Sequence, residues 1–347
     1  MKTGAVVLAA MLGGLCVTGA VSAQTPDPMG VVAPAPTLAA ADEVEQWSGQ
    51  FRDQPALSVS LAGLPTLAEG DRSDAVTTLR TALTERGFLA SDVSSPDPTL
   101  FDAPITEAVR TAQRFHGLVE DGKAGGQLYL NLAGATAGLG QDLWSWGQEI
   151  RLQAEKARAA GYRKLIIVNI PSYTLKAIDL ETGQTIVESR VVVGKATRRT
   201  PIFTTNVVNL KFNPDWTPTA SMKKQGKRYV AAGPNNPLGR IRFSTDNNIS
   251  IYLHHTNEPD LFDKPTRALS SGCVRVERWD DLASFVADSD NNTIHEKVAT
   301  KKTSFQKVEP VPVVMSYSQV DVTAGRPARF PDVYKLGDKA PLPTTLP

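Results

Sequence analysis

The chain has 347 residues, 41% hydrophobic and 21% charged, which excludes disorder throughout and leaves room for two modest domains. Its 37 lysines and arginines nearly cancel its 36 aspartates and glutamates. No basic field of the kind that neutralises phosphates covers it, so a general nucleic-acid partner is excluded.

Residues 1–23, MKTGAVVLAAMLGGLCVTGAVSA, place Lys2 before an apolar stretch and end on Val21-Ser22-Ala23. This is the pattern of an export signal cleaved before Gln24. Leu15 stands where lipid attachment to Cys16 would need a small residue. No later run reaches the ~18 consecutive apolar residues of a membrane span, so the mature chain is expected to be exported, with no membrane span. Losing the signal leaves Cys273 as the single cysteine, which has no partner for an internal disulfide.

Residues 24–41 are rich in proline and alanine without helical periodicity, as in an extended linker, and 42–60 leave a short helix and a strand both open. From 61 to 134 the chain reads as a compact three-helix module. Ser73 is a candidate cap for a helix carrying Val76, Leu79 and Leu83, with Gly87 at its end. A second helix follows Pro104, with Ile105, Ala108, Val109, Ala112 and Phe115 on one face and Gly117 closing it. Asp121-Gly122 then turns the chain towards Leu128 and Leu132. His116 reads as a solvated cap. Residues 141–160 suggest an exposed, charged connector helix, in which Trp144 and Trp146 cannot share a face.

After Gly161 the period changes from helix-like to two. KLIIVNI, YTLKAIDL, TIVESRVVVG, PIFTTNVVNLKF, RIRFST, ISIYLHH and PVPVVMSYSQVDV predict strands separated by turns, so 162–320 is mostly β. One helix is expected over 279–287. His295 is expected in a polar loop, and 321–347 reads as a C-terminal tail, mobile from 336.

The chemistry concentrates at two places. ISIYLHH ends on His254 and His255, and Cys273 follows nineteen residues after His254 in the run Ser270-Ser271-Gly272-Cys273-Val274-Arg275. A cysteine after glycine can sit in a tight turn with its sulfur accessible and consecutive N–H groups aimed at one spot, as an oxyanion requires. An imidazole can take the thiol proton or stabilise a thiolate. Neighbours on a strand face opposite ways, so one histidine of the two can serve. Arg275 adds a charge that favours a thiolate or holds a carboxylate. A zinc site would lack a ligand and need both strand neighbours to converge. A purely structural cysteine is the remaining alternative. Papain-like peptidases place cysteine before histidine, and sortases carry their arginine further along.

The run IYLHHTNEPDLFDKPTRALSSGCVRVE resembles the active-site signature of the L,D-transpeptidase (YkuD-type) catalytic domain. VNIPSYTLKAID, VVVGKATRRTPIF, FNPDWTPTAS and GPNNPLGRIRF are similar to further parts of that domain. GDRSDAVTTLRTALTERGFL with ITEAVRTAQRFHGLVEDG resembles a peptidoglycan-binding domain, departing from it between the two helices. Together they imply a multidomain α+β chain, a small three-helix module followed by a mainly β catalytic domain, in the style of the larger Gram-negative members.

The resemblance implies Cys273 as nucleophile and His254 as its base. Gly272, Cys273 and Ser271 would supply oxyanion N–H groups, while Arg275, His255 and Tyr252 would lie against the substrate. It implies no cofactor and no metal. The substrates would be peptidoglycan stem peptides, a donor tetrapeptide and an acceptor amine, joined as a 3→3 cross-link in the periplasm during wall building and shaping. Water, a D-amino acid or a lipoprotein lysine could replace the acceptor, and a wall-binding protein without catalysis is the reading from another class. His255 departs from the glycine or aspartate usual at its place, leaving either histidine open as base. Only about sixteen residues separate Trp216 from Gly233, where larger members carry a long capping insertion.

Overall fold

The computed structural model describes residues 37–337, apart from 53–55, 94, 117, 134–135 and 324. The expected export signal with Cys16, the linker up to 36, Gly117 and the tail beyond 337 lie outside the described residues.

The first element, α1 (Ala39–Arg52), begins inside the stretch expected to be linker, and Leu38, Ala40, Ala41 and Val44 are buried. Alanine is the strongest helix former, and this alanine run gains a partner in the long helix at 136–159. The module follows as α2 (Asp74–Glu85), α3 (Ala103–Phe115) and α4 (Gly126–Leu132). Val76, Leu79, Leu83, Ile105, Val109, Ala112, Leu128 and Leu132 share one core, as their spacing predicts. Asp102 caps α3 by accepting the Ile105 N–H at 3.2 Å. Ser73 holds the N-cap position of α2, but its buried hydroxyl bonds nothing there.

His116 is not a solvated cap. It is 2% exposed, edge-on to Phe88 and Phe115, and burial pushes its pKa down to about 4. Nor is α5 (Thr136–Ala159) an exposed connector. Leu139, Leu143, Trp146, Ile150, Ala154 and Ala157 are buried against α1 and the sheet, while Trp144 stays exposed. The Trp146 indole donates at 3.0 Å to Asp321, which also accepts from Ser172 and Asn169.

The β region contains β1 (Lys164–Asn169), β2 (Thr174–Asp179), β3 (Thr185–Gly194) and β4 (Phe203–Phe212). A short α6 (Ala220–Lys224) precedes β5 (Ile241–Thr245), β6 (Leu253–His254), β7 (Ala268–Ser270) and β8 (Val274–Val276). Then come α7 (Trp279–Ala287), α8 (Asn291–Ala299), β9 (Ser304–Ser316), β10 (Val320–Thr323) and β11 (Arg326–Arg329). The sheet order is β2-β1-β9-β4-β5-β6-β8-β3, and β3 pairs back onto β2, so the sheet closes as a barrel with β7 added at β3. Closure leaves no long free edge.

Ile166, Val168, Leu175, Val191, Leu253 and Val274 fill the interior. Leu165, Ile167 and Val314 face outwards under α1 and α5. That burial on both faces makes KLIIVNI a continuous apolar run. The strand expected over ISIYLHH shrinks to two residues because Ser250 takes φ +59° and Asn247 ties the loop to the Ile251 carbonyl. His295 lies in α8 rather than a loop, 3.0 Å from an Asp280 carboxylate oxygen.

The expected C-terminal tail is also corrected. Strands β10 (Val320–Thr323) and β11 (Arg326–Arg329) pair antiparallel, and Tyr334 is buried in the barrel core.

Candidate active site

Strands β6 and β8 run parallel, with Leu253 opposite Val274 and His254 opposite Arg275. Leu253 and Val274 point into the core. By alternation Tyr252, His254, Cys273 and Arg275 share the opposite face, and the Val274 N–H fixes the start of this pair by donating to the Tyr252 carbonyl at 3.1 Å. The register thus brings together four of the seven residues singled out from sequence.

Cys273 stands at the end of a turn whose shape depends on Gly272. Its φ is +117°, a region disfavoured for other residues, and a Cβ there would meet the Ile251 side chain at 3.1 Å. Ser270 bridges the turn: its hydroxyl donates to the Cys273 carbonyl at 2.6 Å and accepts the Gly272 N–H at 3.1 Å. The Gly272 N–H, expected to be an oxyanion donor, is therefore engaged within the turn. Among the described residues nothing accepts the N–H of Ser271 or of Cys273.

Support comes from further off. Thr200 donates to the Gly272 carbonyl at 2.8 Å and accepts the Gly194 N–H at 2.9 Å. The Tyr334 hydroxyl in turn donates to the Gly194 carbonyl at 2.6 Å and accepts the Thr200 N–H at 3.0 Å.

His254 is 5% exposed, and its Nδ1 is held by the carbonyl of His255. This contact fixes the ring and leaves Nε2 as the acceptor. Burial, with the nearby Arg275 charge, pushes its pKa down to about 3. His255 goes the other way. Its Nδ1 accepts the Arg240 N–H at 3.1 Å and its ring lies 5.1 Å from Trp279. Gly239 permits that approach, since a Cβ there would meet His255 Nδ1 at 2.3 Å. The two histidines therefore separate, as strand alternation requires, and His254 is the one beside Tyr252, at 5.9 Å between ring centroids.

The Cys273 sulfur lies 3.6 Å from the Ser250 carbonyl and in hydrogen-bond reach of the Tyr252 hydroxyl. Burial pushes the thiol pKa up, against Tyr252 hydrogen bonds and the Arg242 and Arg275 charges. Arg242 lies 5.2 Å over the Tyr252 ring. Arg275 is partly engaged: its Nη1 donates to Glu258 at 2.6 Å and to Thr256 at 3.1 Å, while its buried Nε has no partner among the described residues. Chemically, the cluster offers a sulfur nucleophile, a neutral imidazole to take its proton and two N–H groups beside the sulfur.

Ser270, Thr200, Tyr334 and Glu258 were not singled out from sequence. Thr200 and Ser270 lie in runs that carry the family resemblance. Nothing local marks Tyr334, which acts at a distance of sixty residues.

Residues 163–313 match the model of the L,D-transpeptidase catalytic domain, and residues 72–129 match that of a peptidoglycan binding domain. A Haemophilus influenzae protein named L,D-transpeptidase is 29% identical over 54% of this chain and 47% of its own length. The Escherichia coli K12 L,D-transpeptidase YbiS is 28% identical over 41% of this chain and 54% of its own. The chain spans about half the length of these curated relatives. Among solved structures, an L,D-transpeptidase from Stackebrandtia nassauensis is 16% identical, covering 71% of this chain and 94% of that one with a TM-score of 0.30. One from Mycobacterium smegmatis is 13% identical, covering 44% and 58% with a TM-score of 0.29. The chain thus carries an L,D-transpeptidase catalytic domain of the YkuD type behind a peptidoglycan-binding domain.

Proposed function

We propose that this protein is a cysteine-dependent L,D-transpeptidase that joins peptidoglycan stems by 3→3 cross-links. The observation that carries the reading is the shared face of Tyr252, His254, Cys273 and Arg275 on the β6–β8 pair, with His254 held at Nδ1 and open at Nε2. Cys273 attacks the carbonyl carbon of the third stem residue while its proton passes to His254 Nε2. The oxyanion forms against the N–H groups of Ser271 and Cys273, and its collapse expels D-alanine, whose amine takes the proton back. The side-chain amine of a second stem then attacks the thioester and gives a proton to His254. Collapse returns the sulfur, which is reprotonated. Losing one oxyanion donor typically costs on the order of 10²–10³ in rate.

Tyr252 positions the sulfur, and Arg275, braced by Glu258 and Thr256, sets the wall beside His254. His255, which faces Trp279, is not the base. The peptidoglycan-binding domain would hold the enzyme on the polymer and raise the local substrate concentration. A wall substrate, with the export pattern of residues 1–23, supports a location outside the cytoplasm, in the periplasm.

Incubating wild type and Cys273→Ala with tetrapeptide-containing muropeptides, followed by mass spectrometry, tests this. Cross-linked dimer from wild type alone is the expected product. Free tripeptide without dimer would make it a carboxypeptidase. A wild type that forms no covalent carbapenem adduct, yet sediments with wall sacculi, would leave only binding.

A further inference from the structure

A groove of about 940 Å³ opens on the side of the barrel to which His255 turns, between the segment 232–234 and the end of α8. Arg240, His255, Thr256, Trp279 and Lys301 line it, and no carboxylate does. Arg240 is stacked on the Trp279 ring at 5.9 Å, which orients its guanidinium without using its hydrogen-bonding edge. Among the described residues neither Arg240 nor Lys301 is ion-paired. His255 accepts the Arg240 N–H at Nδ1, so its neutral ring carries the proton on Nε2 as a donor. Two unpaired cations and a ring donor, with Asp280 acting on the His255 ring from outside the lining, make a site of net positive charge complementary to an anion.

The groove adjoins the site already described without being part of it. Thr256 lines the groove, and its hydroxyl accepts from Arg275. His255 directly follows His254 in the chain.

We propose that this groove binds a carboxylate of the stem peptide, held by Arg240 and Lys301, and that it contributes to substrate selection. The inference rests on the function proposed above. A carboxylate from either the donor or the acceptor stem would suit it.

Calorimetry on the full chain carrying Cys273→Ala, which cannot turn over, tests binding separately from chemistry. The probes are a synthetic stem tetrapeptide with free carboxylates and the same peptide with them amidated. The free acid is expected to bind about fivefold more tightly, as for two solvent-screened ion pairs. That preference should shrink at high salt and vanish in Arg240→Gln and Lys301→Gln, both exposed positions, while Arg240→Lys keeps part of it. Equal affinity for the two peptides, or a preference unchanged by both glutamine variants, would overturn the proposal. In otherwise wild-type enzyme, Arg240→Gln should raise KM for the donor or for the acceptor, which assigns the carboxylate; no change in either also overturns it. A wild type that forms no carbapenem adduct would defeat the function proposed above while leaving the calorimetric result standing.

Discussion

Burial favours the uncharged forms of both His254 and Cys273. Burial takes the imidazole down to about 3 and lifts the thiol above its ordinary range, so the proton moves only when the sulfur attacks. Alkylation of Cys273 by iodoacetamide should therefore accelerate with pH, with an inflection above that of a free thiol, ordinarily about 8.5. A plateau already reached at pH 6 would instead reveal a thiolate–imidazolium pair and refute this account. Cys273, Arg275 and the two histidines were visible in the sequence because a short spacing carries them. The resemblance points to His254 and leaves His255 open; the register with β8 and the Gly239 gap that admits His255 support His254. The engagement of the Gly272 N–H was not visible, since Ser270 reaches it through a rotamer that no spacing encodes.

Among elements, the turn before β8 is braced by a segment expected to be a loose tail. Tyr334→Phe would leave the Gly194 carbonyl and the Thr200 N–H without their buried partner, a loss of roughly 1–3 kcal/mol. Because Thr200 also holds the Gly272 carbonyl, carbapenem acylation of Cys273 should slow about tenfold, a 1.4 kcal/mol effect. Stopped-flow rates equal to wild type would show that the brace does not reach the turn. The α1–α5 layer was likewise misread, since the charges of α5 hide a buried stripe. Trp146→Phe deprives the buried Asp321 of its indole donor, and the melting temperature should fall by roughly 2–10 °C. The three-helix module was legible because its stripes repeat at helical spacing. The barrel strands were legible as runs, but the pairing of β3 with β2 that closes them is a long-range contact outside any local pattern.

At the scale of the whole molecule, three histidines have depressed pKa values: buried His116 at about 4, buried His254 at about 3 and half-buried His255 at about 4. Unfolded, each titrates near 6.5, so between those values the unfolded chain binds more protons. Stability is therefore complete above pH 6.5 and declines as pH falls, by up to about 1.4 kcal/mol per pH unit for each group. Thermal melts should show the midpoint dropping between pH 6.5 and pH 4, and His116→Gln, far from Cys273 in sequence, should weaken that dependence. A midpoint flat over this range would contradict the burial of these rings. Tyr334 has a further consequence for biosynthesis. It emerges from the ribosome about sixty residues after Cys273, so a nascent chain already displaying the reactive sulfur still lacks the hydroxyl that props its loop. Synthesis must pass residue 334 before the turn is braced, and a stop near residue 330 should yield a barrel whose Cys273 reacts with a carbapenem more slowly, as in Tyr334→Phe.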